Sequence, residues 1–282
     1  MYFRSGSTFC VSVMSFNDKV VIVTGSSSGI GAAIAIKFAE LGAKVTIVGR
    51  NEKKLGNVAK KCNNPLVVAA DVTKEDDLKK IVNETLKRFG KLDILVNNAG
   101  IVQATNITEE NALEAYNNVI ATNLNSVVLL THLAVPHIIK SKGNIVNISS
   151  VAGLSVSFKT GFPYQTSKAA LDHFTRSIAS ELGSSGVRVN SVNPGPVRTD
   201  ILENMGVGEP DAVWEESKKN TALGRVSDSE EIADLVAFLA SEKARGITGS
   251  IFVKQKCIYS YIISLFLLTS NRLTLSFCTL TS

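Results

Sequence analysis

Val20-Val21-Ile22-Val23 is an unbroken, β-branched apolar run. A strand with one face in water alternates apolar and polar residues, whereas a run without alternation needs cover on both faces. The pattern recurs at Val45–Val48, Leu66–Ala69, Ile94–Val96, Ile145–Ile148 and Val187–Val192, and starts again at Ser250–Val253. Between these runs lie helical stretches over about 30–41, 51–61, 74–89 and 109–140, from Tyr164 to about Leu182, and over 229–240. Such alternation requires right-handed crossovers and a parallel sheet covered by helices on both faces. The sequence therefore predicts an α/β, doubly wound parallel sheet of about seven strands in a single domain. A chain of 282 residues with 45% hydrophobic content is large enough for such a core. The expected organisation is a disordered leader over 1–13, a domain over 14–253 opening at Met14, and an atypical apolar tail over 254–282.

Charge and cysteine usage narrow the partners. The net charge of +5 comes largely from outside the domain. With Arg4, Lys254, Lys256 and Arg272 set aside, the thirty basic and twenty-five acidic residues come close to balance. No basic stripe remains, which argues against nucleic acid. Cys10, Cys62, Cys257 and Cys278 have neither metal spacing nor a disulfide framework, as expected of reduced thiols in the cytoplasm. Residues 1–13 lack the apolar core of a signal peptide. The apolar stretch Ile258–Leu268 is far short of the roughly 20 residues a spanning helix needs, which argues against a membrane span. His132 and His137 are five apart and do not share a helix face; with His173 they make no metal set.

Ligands of doubly wound sheets bind at the carboxyl ends of the strands. Here those ends carry Thr24-Gly25, Gly49-Arg50, Asp71, Asn97, Ser149-Ser150 and Asn193-Pro194-Gly195. The turn Thr24-Gly25-Ser26-Ser27-Ser28-Gly29-Ile30-Gly31 joins a strand to a helix. Its glycines let backbone approach a pyrophosphate, and the helix N-terminus supplies N–H donors. Tyr164 and Lys168 lie four apart on a helix and share a face. An ammonium beside a phenol favours the phenolate, so the tyrosine is expected to titrate below its reference of about 10 and to serve as an acid/base. An acid at the end of the second strand would bind a ribose 2′-hydroxyl; this chain offers Arg50, which suits a 2′-phosphate.

Thr24 to Gly31, Asn97-Asn98-Ala99-Gly100, Asn123, Ser150, Tyr164, Lys168 and Asn193-Pro194-Gly195, in this order and spacing, resemble the short-chain dehydrogenase/reductase family, with the flavour of its 3-oxoacyl-carrier-protein reductase-like members. The likeness covers about residues 16–253. It implies a Rossmann-type oxidoreductase that interconverts a ketone or aldehyde and an alcohol with NADP, or with NAD. In that reading Tyr164 is the acid/base, Lys168 lowers its pKa and holds the nicotinamide ribose, Ser150 steadies the substrate oxygen, and Asn123 positions a water on Lys168. Ser149 is the rival of Ser150. The cofactor residues implied are Thr24, Gly25, Ser27, Ser28, Gly29, Ile30, Gly31, Arg50, Asp71, Val72, Asn97, Ala99, Gly100, Tyr164, Lys168, Pro194, Gly195, Val197 and Thr199. Asp71 resembles a contact to the adenine amine and also reads as a helix cap. Residues 201–223 hold Ile201, Leu202, Met205, Val207, Val213, Trp214 and Leu223. They read either as a lid over a lipophilic carbonyl or alcohol, or as packed helices.

Two departures stand out. Ser150 and Tyr164 are fourteen apart, one more than is common in the family, so the Ser155–Phe162 loop is expected to bulge. The family's last strand runs on into Asp-Gly-Gly, where this chain has Lys254-Gln255-Lys256. That ending normally closes the substrate pocket and builds a subunit interface. Turnover and the homo-oligomer implied by the family therefore both depend on what replaces it. The alternative function is a cofactor-binding relative with little or no activity.

Overall fold

The computed structural model describes residues 14–204 and 208–255. The leader 1–13, Met205, Val207 and the tail beyond Gln255 lie outside the described residues. Seven strands form one all-parallel sheet: β1 (Val20–Thr24), β2 (Lys44–Gly49), β3 (Leu66–Ala69), β4 (Ile94–Asn97), β5 (Asn144–Ile148), β6 (Arg188–Pro194) and β7 (Ile251–Lys254). Their spatial order is β3-β2-β1-β4-β5-β6-β7. The winding reverses between β1 and β4, which opens a crevice at their carboxyl ends. Val23 is the hinge of this arrangement, paired with Ile47 on one side and Val96 on the other.

The unbroken apolar runs have a direct explanation. Val21 and Val23 point to one face, where α1 (Gly29–Glu40) and α9 (Ser229–Ala240) bury Ile34, Phe38, Ile232 and Val236. Val20 and Ile22 point to the other, against Leu78 and Ile81 of α3 (Glu75–Phe89) and Leu130 and Ile138 of α5 (Ser126–Ser141). α3 is fixed in length by its ends: Glu75, Asp76 and Asp77 at the positive pole, Lys87 and Arg88 at the negative one, and Gly90 as a left-handed stop.

The long helical region expected over about 109–140 is present, with a π-helical turn inside it. It consists of α4 (Ala112–Ile120), the π-helical turn (Ala121–Asn125) and α5. Taken as one run, Ala112–Ser141 is long and apolar enough to cross a membrane by length and composition, but Val127, Leu130, Ala134 and Ile138 are buried in the core of this domain. The remaining helices are α2 (Glu52–Ala59), α6 (Phe162–Leu182), α7 (Ile201–Asn204) and α8 (Pro210–Lys219). In the 201–223 stretch Leu202 and Trp214 are buried, while Leu223 is 66% exposed.

β7 runs to Lys254, one residue past the expected domain boundary, and Lys254 and Gln255 are both held by side-chain contacts. Gln255 adopts a left-handed conformation (φ 64°). Its Oε1 accepts from Ser227 Oγ at 2.6 Å, and its Nε2 donates to the Arg225 carbonyl. Lys254 pairs with Glu231 at 3.3 Å, and Arg225 grips the same carboxylate with both guanidinium arms. Arg225, then the Asp228 N–H, then Lys254 hold the Glu231 pKa down to about 2, against burial. A depressed carboxylate adds stability above its unfolded pKa of about 4.3 and loses it as pH falls through the folded value. Between pH 5 and pH 2 the protein is therefore expected to lose more urea stability than Glu231→Gln does, and high salt should narrow the gap.

Candidate active site

The glycine-rich turn is held from behind by β4. Thr24 Oγ1 accepts from the backbone N–H groups of Asn98 (3.0 Å) and Ala99 (3.1 Å), and Asn98 Nδ2 donates to the carbonyls of Thr24 (2.9 Å) and Gly25 (3.2 Å). Gly25 has φ 66°, and a Cβ on it would lie 2.8 Å from Ala99 Cα. Gly31 has no spare room either: a Cβ there would sit 2.3 Å from Gly25 O. Ser26 closes the turn onto β2, where its Oγ accepts from Val48 N at 2.7 Å. Ser27 lies over Gly49 at the end of β2, and Ile30 packs on the core. Ser28 stands at the N-cap of α1 without a side-chain bond, and the first turn of α1 carries no acid. The leading amides of α1 are therefore left for an anion, and the turn fits a pyrophosphate.

At the next two strand ends Arg50 is exposed and Asn51 caps α2, accepting from Lys54 N at 2.9 Å. Asp71 Oδ1 accepts from Thr73 N (3.0 Å) and Thr73 Oγ1 (2.8 Å). The Thr73 N–H is the largest cause holding the Asp71 carboxyl below its usual range, and Arg50 is near enough to contribute. The expected capping role is corrected: Asp71 closes a turn ahead of α3, whose N-cap is Lys74, and Val72 packs on the second core. The Asn97 side chain is turned into the sheet, donating to Asn147 Oδ1 at 2.9 Å, so it does not face the crevice.

Tyr164 is the third residue of α6, whose start is pinned on two sides. Pro163 presets the first turn, Gln165 Nε2 bonds the Phe158 carbonyl, and Thr105 N donates to Thr160 O at 2.8 Å. These contacts hold the extra-long Ser155–Phe162 loop. Ser150 Oγ accepts from Ala152 N at 3.1 Å, and Ser150 also hydrogen-bonds the Tyr164 side chain. Ser149, the rival, is turned under α6, where its hydroxyl donates to Lys168 O at 3.1 Å. Lys168 is buried; its Nζ donates to Ile148 O at 2.8 Å and lies 5.6 Å from the Tyr164 ring centre.

The electrostatics correct one expectation. Burial pushes the Tyr164 phenol up and the Ser150 bond pulls it back, so the lysine is not what sets its pKa in this geometry. The ammonium is anchored on a carbonyl, and burial has lowered Lys168 itself to about 8, against a raising pull from Asp172.

Asn123 lies in the π-turn, fully buried, where such bulges redirect a side chain. Its Oδ1 accepts from Ile101 N at 2.8 Å, and its Nδ2 donates to Ile101 O at 2.9 Å and to Ser167 Oγ at 3.1 Å. Gly100 lies between the two groups: a side-chain carbon there would meet Asn123 Oδ1 at 3.3 Å and Lys168 Nζ at 3.6 Å.

The loop after β6 completes the crevice. Pro194 ends the strand, and Gly195 N donates to Lys254 O at 2.9 Å. Val197 is buried and bridges Ser227, and Arg198 N donates to Ser227 O at 3.0 Å. Thr199 lies against Gly29. The ion pair between Lys54 and Asp200 (2.6 Å) then ties this loop to α2. Asn98, Ser26 and Asn193 lie within the motifs the sequence marks, but as residues that hold the site together from inside rather than as cofactor contacts.

Residues 25–255 match the family profile described as enoyl-(acyl carrier protein) reductase. L-fucose dehydrogenase of Bos taurus is 38% identical over 229 residues, covering 80% of this chain and 84% of its own. Meso-2,3-butanediol dehydrogenase of Serratia marcescens is 34% identical over 239 residues, covering 84% of this chain and 93% of its own. A crystal structure of a short-chain dehydrogenase/reductase of unknown function from Caenorhabditis elegans, with cofactor, superposes with a TM-score of 0.80 at 37% identity, covering 84% of this chain and 94% of that one. The chain belongs to the short-chain dehydrogenase/reductase family and is an oxidoreductase acting on CH–OH groups with a nicotinamide cofactor.

Proposed function

We propose that the protein interconverts a secondary alcohol and its ketone, or an aldehyde and its alcohol, with NADP as the preferred cofactor and Tyr164 as the acid/base. The observation that carries this reading is the convergence of Ser150, Tyr164 and Lys168 beside the glycine-rich turn. The turn and the α1 amides would hold the pyrophosphate, Lys168 the nicotinamide ribose, and Val197 and Thr199 the carboxamide. When bound, the nicotinamide supplies or accepts the hydride. Ser150 donates to the substrate oxygen and steadies the charge that grows there, while Tyr164 Oη gives that oxygen its proton in reduction and takes it back in oxidation. A phenol kept neutral by burial is suited to donating. The Lys168 ammonium, 5.6 Å from the ring centre, would offset the charge left on the oxygen after transfer, although burial and Ser150 set the resting pKa of the phenol. Asn123 holds the Ile101 backbone nearby.

Arg50 supports NADP, being exposed at the end of β2 and close enough to Asp71 to act on it. Arg50→Asp is expected to lower kcat/KM for NADPH by about 10- to 100-fold, the loss of a charge-assisted phosphate contact, and to raise the NADH/NADPH ratio. An unaltered ratio would contradict the assignment.

Exposed Leu154 and Val156 follow Ser150 and favour a lipophilic substrate. The relatives named for L-fucose and 2,3-butanediol favour a second reading, a polyhydroxylated one. Initial rates with a medium-chain ketone, 2,3-butanediol and L-fucose, each with both cofactors, separate the two. The domain is assigned to 14–253 and the protein to the cytoplasm, to be tested by limited proteolysis and cell fractionation.

A further inference from the structure

A carboxyl group is buried behind the site with no part in the chemistry above. Asp172 lies one helical turn beyond Lys168 on α6 and is 1% exposed. Asn193 Nδ2 donates to its Oδ2 at 2.7 Å, Ser191 Oγ lies 3.1 Å from its Oδ1, and the Ser149 hydroxyl, which donates to Lys168 O, lies close enough to act on it. The same Asn193 amide donates to the backbone carbonyl of Ser150 at 2.9 Å. One cluster thus touches both ends of the catalytic group: the carbonyl of Ser150 on one side and the helix turn of Lys168 on the other.

The charges around this cluster are few. β6 presents Ser191 and Asn193, the end of β5 presents Ser149 and the Ile148 carbonyl, and the π-turn presents Asn123; none is charged. Tyr164, on the far side of Lys168, is the other titratable group. Among the described residues, Lys168 is the charge that acts on Asp172, and Asp172 is the charge that acts on Lys168. A buried ammonium resting on one carbonyl is costly without an opposite charge. Burial raises the Asp172 carboxyl above its usual range, and the Asn193 amide, the neighbouring hydroxyls and Lys168 pull it back. Ionised, it is the group that can supply that opposite charge.

Resting on the reading of Lys168 as the cation of the reaction, we infer that Asp172 is a positioning residue: its carboxylate keeps Lys168 an ammonium and, through Asn193, fixes Ser150 against Tyr164. The effect reaches the chemistry through the charge of Lys168, so it belongs in the pH profile. Burial alone lowers Lys168, and Asp172 opposes that fall. Removing the carboxylate lowers Lys168 further, and the alkaline limb of carbonyl reduction moves to lower pH.

The test uses the full chain with NADPH and the best ketone of the panel. Asp172→Asn is nearly isosteric. It is expected to move the alkaline limb of kcat down by about one pH unit, which is about tenfold in turnover beyond that limb. Ser191→Ala keeps the carboxylate but removes one of its hydrogen bonds, and is expected to move the limb the same way by less; it carries the test if Asp172→Asn does not fold. A limb that stays in place in the folded variants, whatever they lose in thermal stability, would mean that the carboxyl only fills the core, and would overturn the inference. That outcome is distinct from failure of the underlying reading, which would appear in the parent protein as turnover that survives Tyr164→Phe.

Discussion

Tyr164→Phe loses on the order of 10²- to 10⁴-fold in kcat, the usual worth of a positioned proton donor, while its affinity for NADPH stays within a few-fold of the parent. The two readouts separate because the ring and the hydroxyl do different things. The ring stays beside Phe158 and keeps its packing in the variant. Only the oxygen goes, and with it the bond to Ser150 and the proton for the substrate. In the proposed reading cofactor affinity rests on other atoms: the α1 amides, the backbone of the glycine-rich turn and Lys168. Stopped assays of ketone reduction, together with quenching of protein fluorescence by NADPH, check both halves. If cofactor affinity fell along with turnover, Tyr164 would be holding the crevice together rather than moving a proton.

Gly31→Ala is the second large effect. The added methyl would sit 2.3 Å from Gly25 O and 2.4 Å from Asn98 Nδ2. Neither neighbour can yield cheaply. Gly25 is pinned by its left-handed backbone and by the Asn98 amide, and Asn98 is tied to Thr24 in turn. The turn must therefore move, at about 1–3 kcal/mol for an overpacked site. Displacing its amides by about 1 Å costs on the order of 10²-fold in the chemistry they position. Gly56→Ala is the matched control, because nothing lies within 4 Å of a Cβ there. In the middle of α2 that change is expected to stabilise by about 0.5–1 kcal/mol. Urea midpoints and NADPH dissociation constants for the two variants check the contrast. Equal affinities would mean that the turn does not carry the pyrophosphate.

What the sequence discloses depends on how far apart the interacting residues are along the chain. β3 coincides with the apolar run Leu66–Ala69, β1, β2, β4 and β5 contain their runs, and β6 and β7 start one residue inside theirs, because burial in the sheet leaves a local mark. The π-helical turn inside 109–140 leaves none. The π-turn adds one residue to a turn of helix without a proline or glycine, so periodicity passes straight through Ala121–Asn125. The side chains that hold the site are hidden for a different reason. Asn98 bonds Thr24, seventy-four residues away, and Asn193 bonds Ser150, forty-three away; nothing local tells such an asparagine from its neighbour. Asn97 belongs to a segment that the family likeness gives both to stabilising the sheet and to lining the adenosine half; its side chain does the first, bonding Asn147 fifty residues on. The direction of the Tyr164 pKa was misjudged because the i, i+4 spacing reports proximity alone. Burial and the Ile148 carbonyl, which decide the outcome, belong to the assembled fold.

The seat of Gln255 bears on the order in which the molecule is finished. β7 is the last described strand to leave the ribosome, and it joins β6, made about sixty residues earlier. The Gly195–Thr199 loop leans on Ser227, and Ser227 on Gln255. A nascent chain that has not yet released Gln255 can wind its first six strands but has no firm wall on one side of the crevice. In the proposed reading, a nucleotide bound in the crevice would stabilise this closing segment along with the loop it supports.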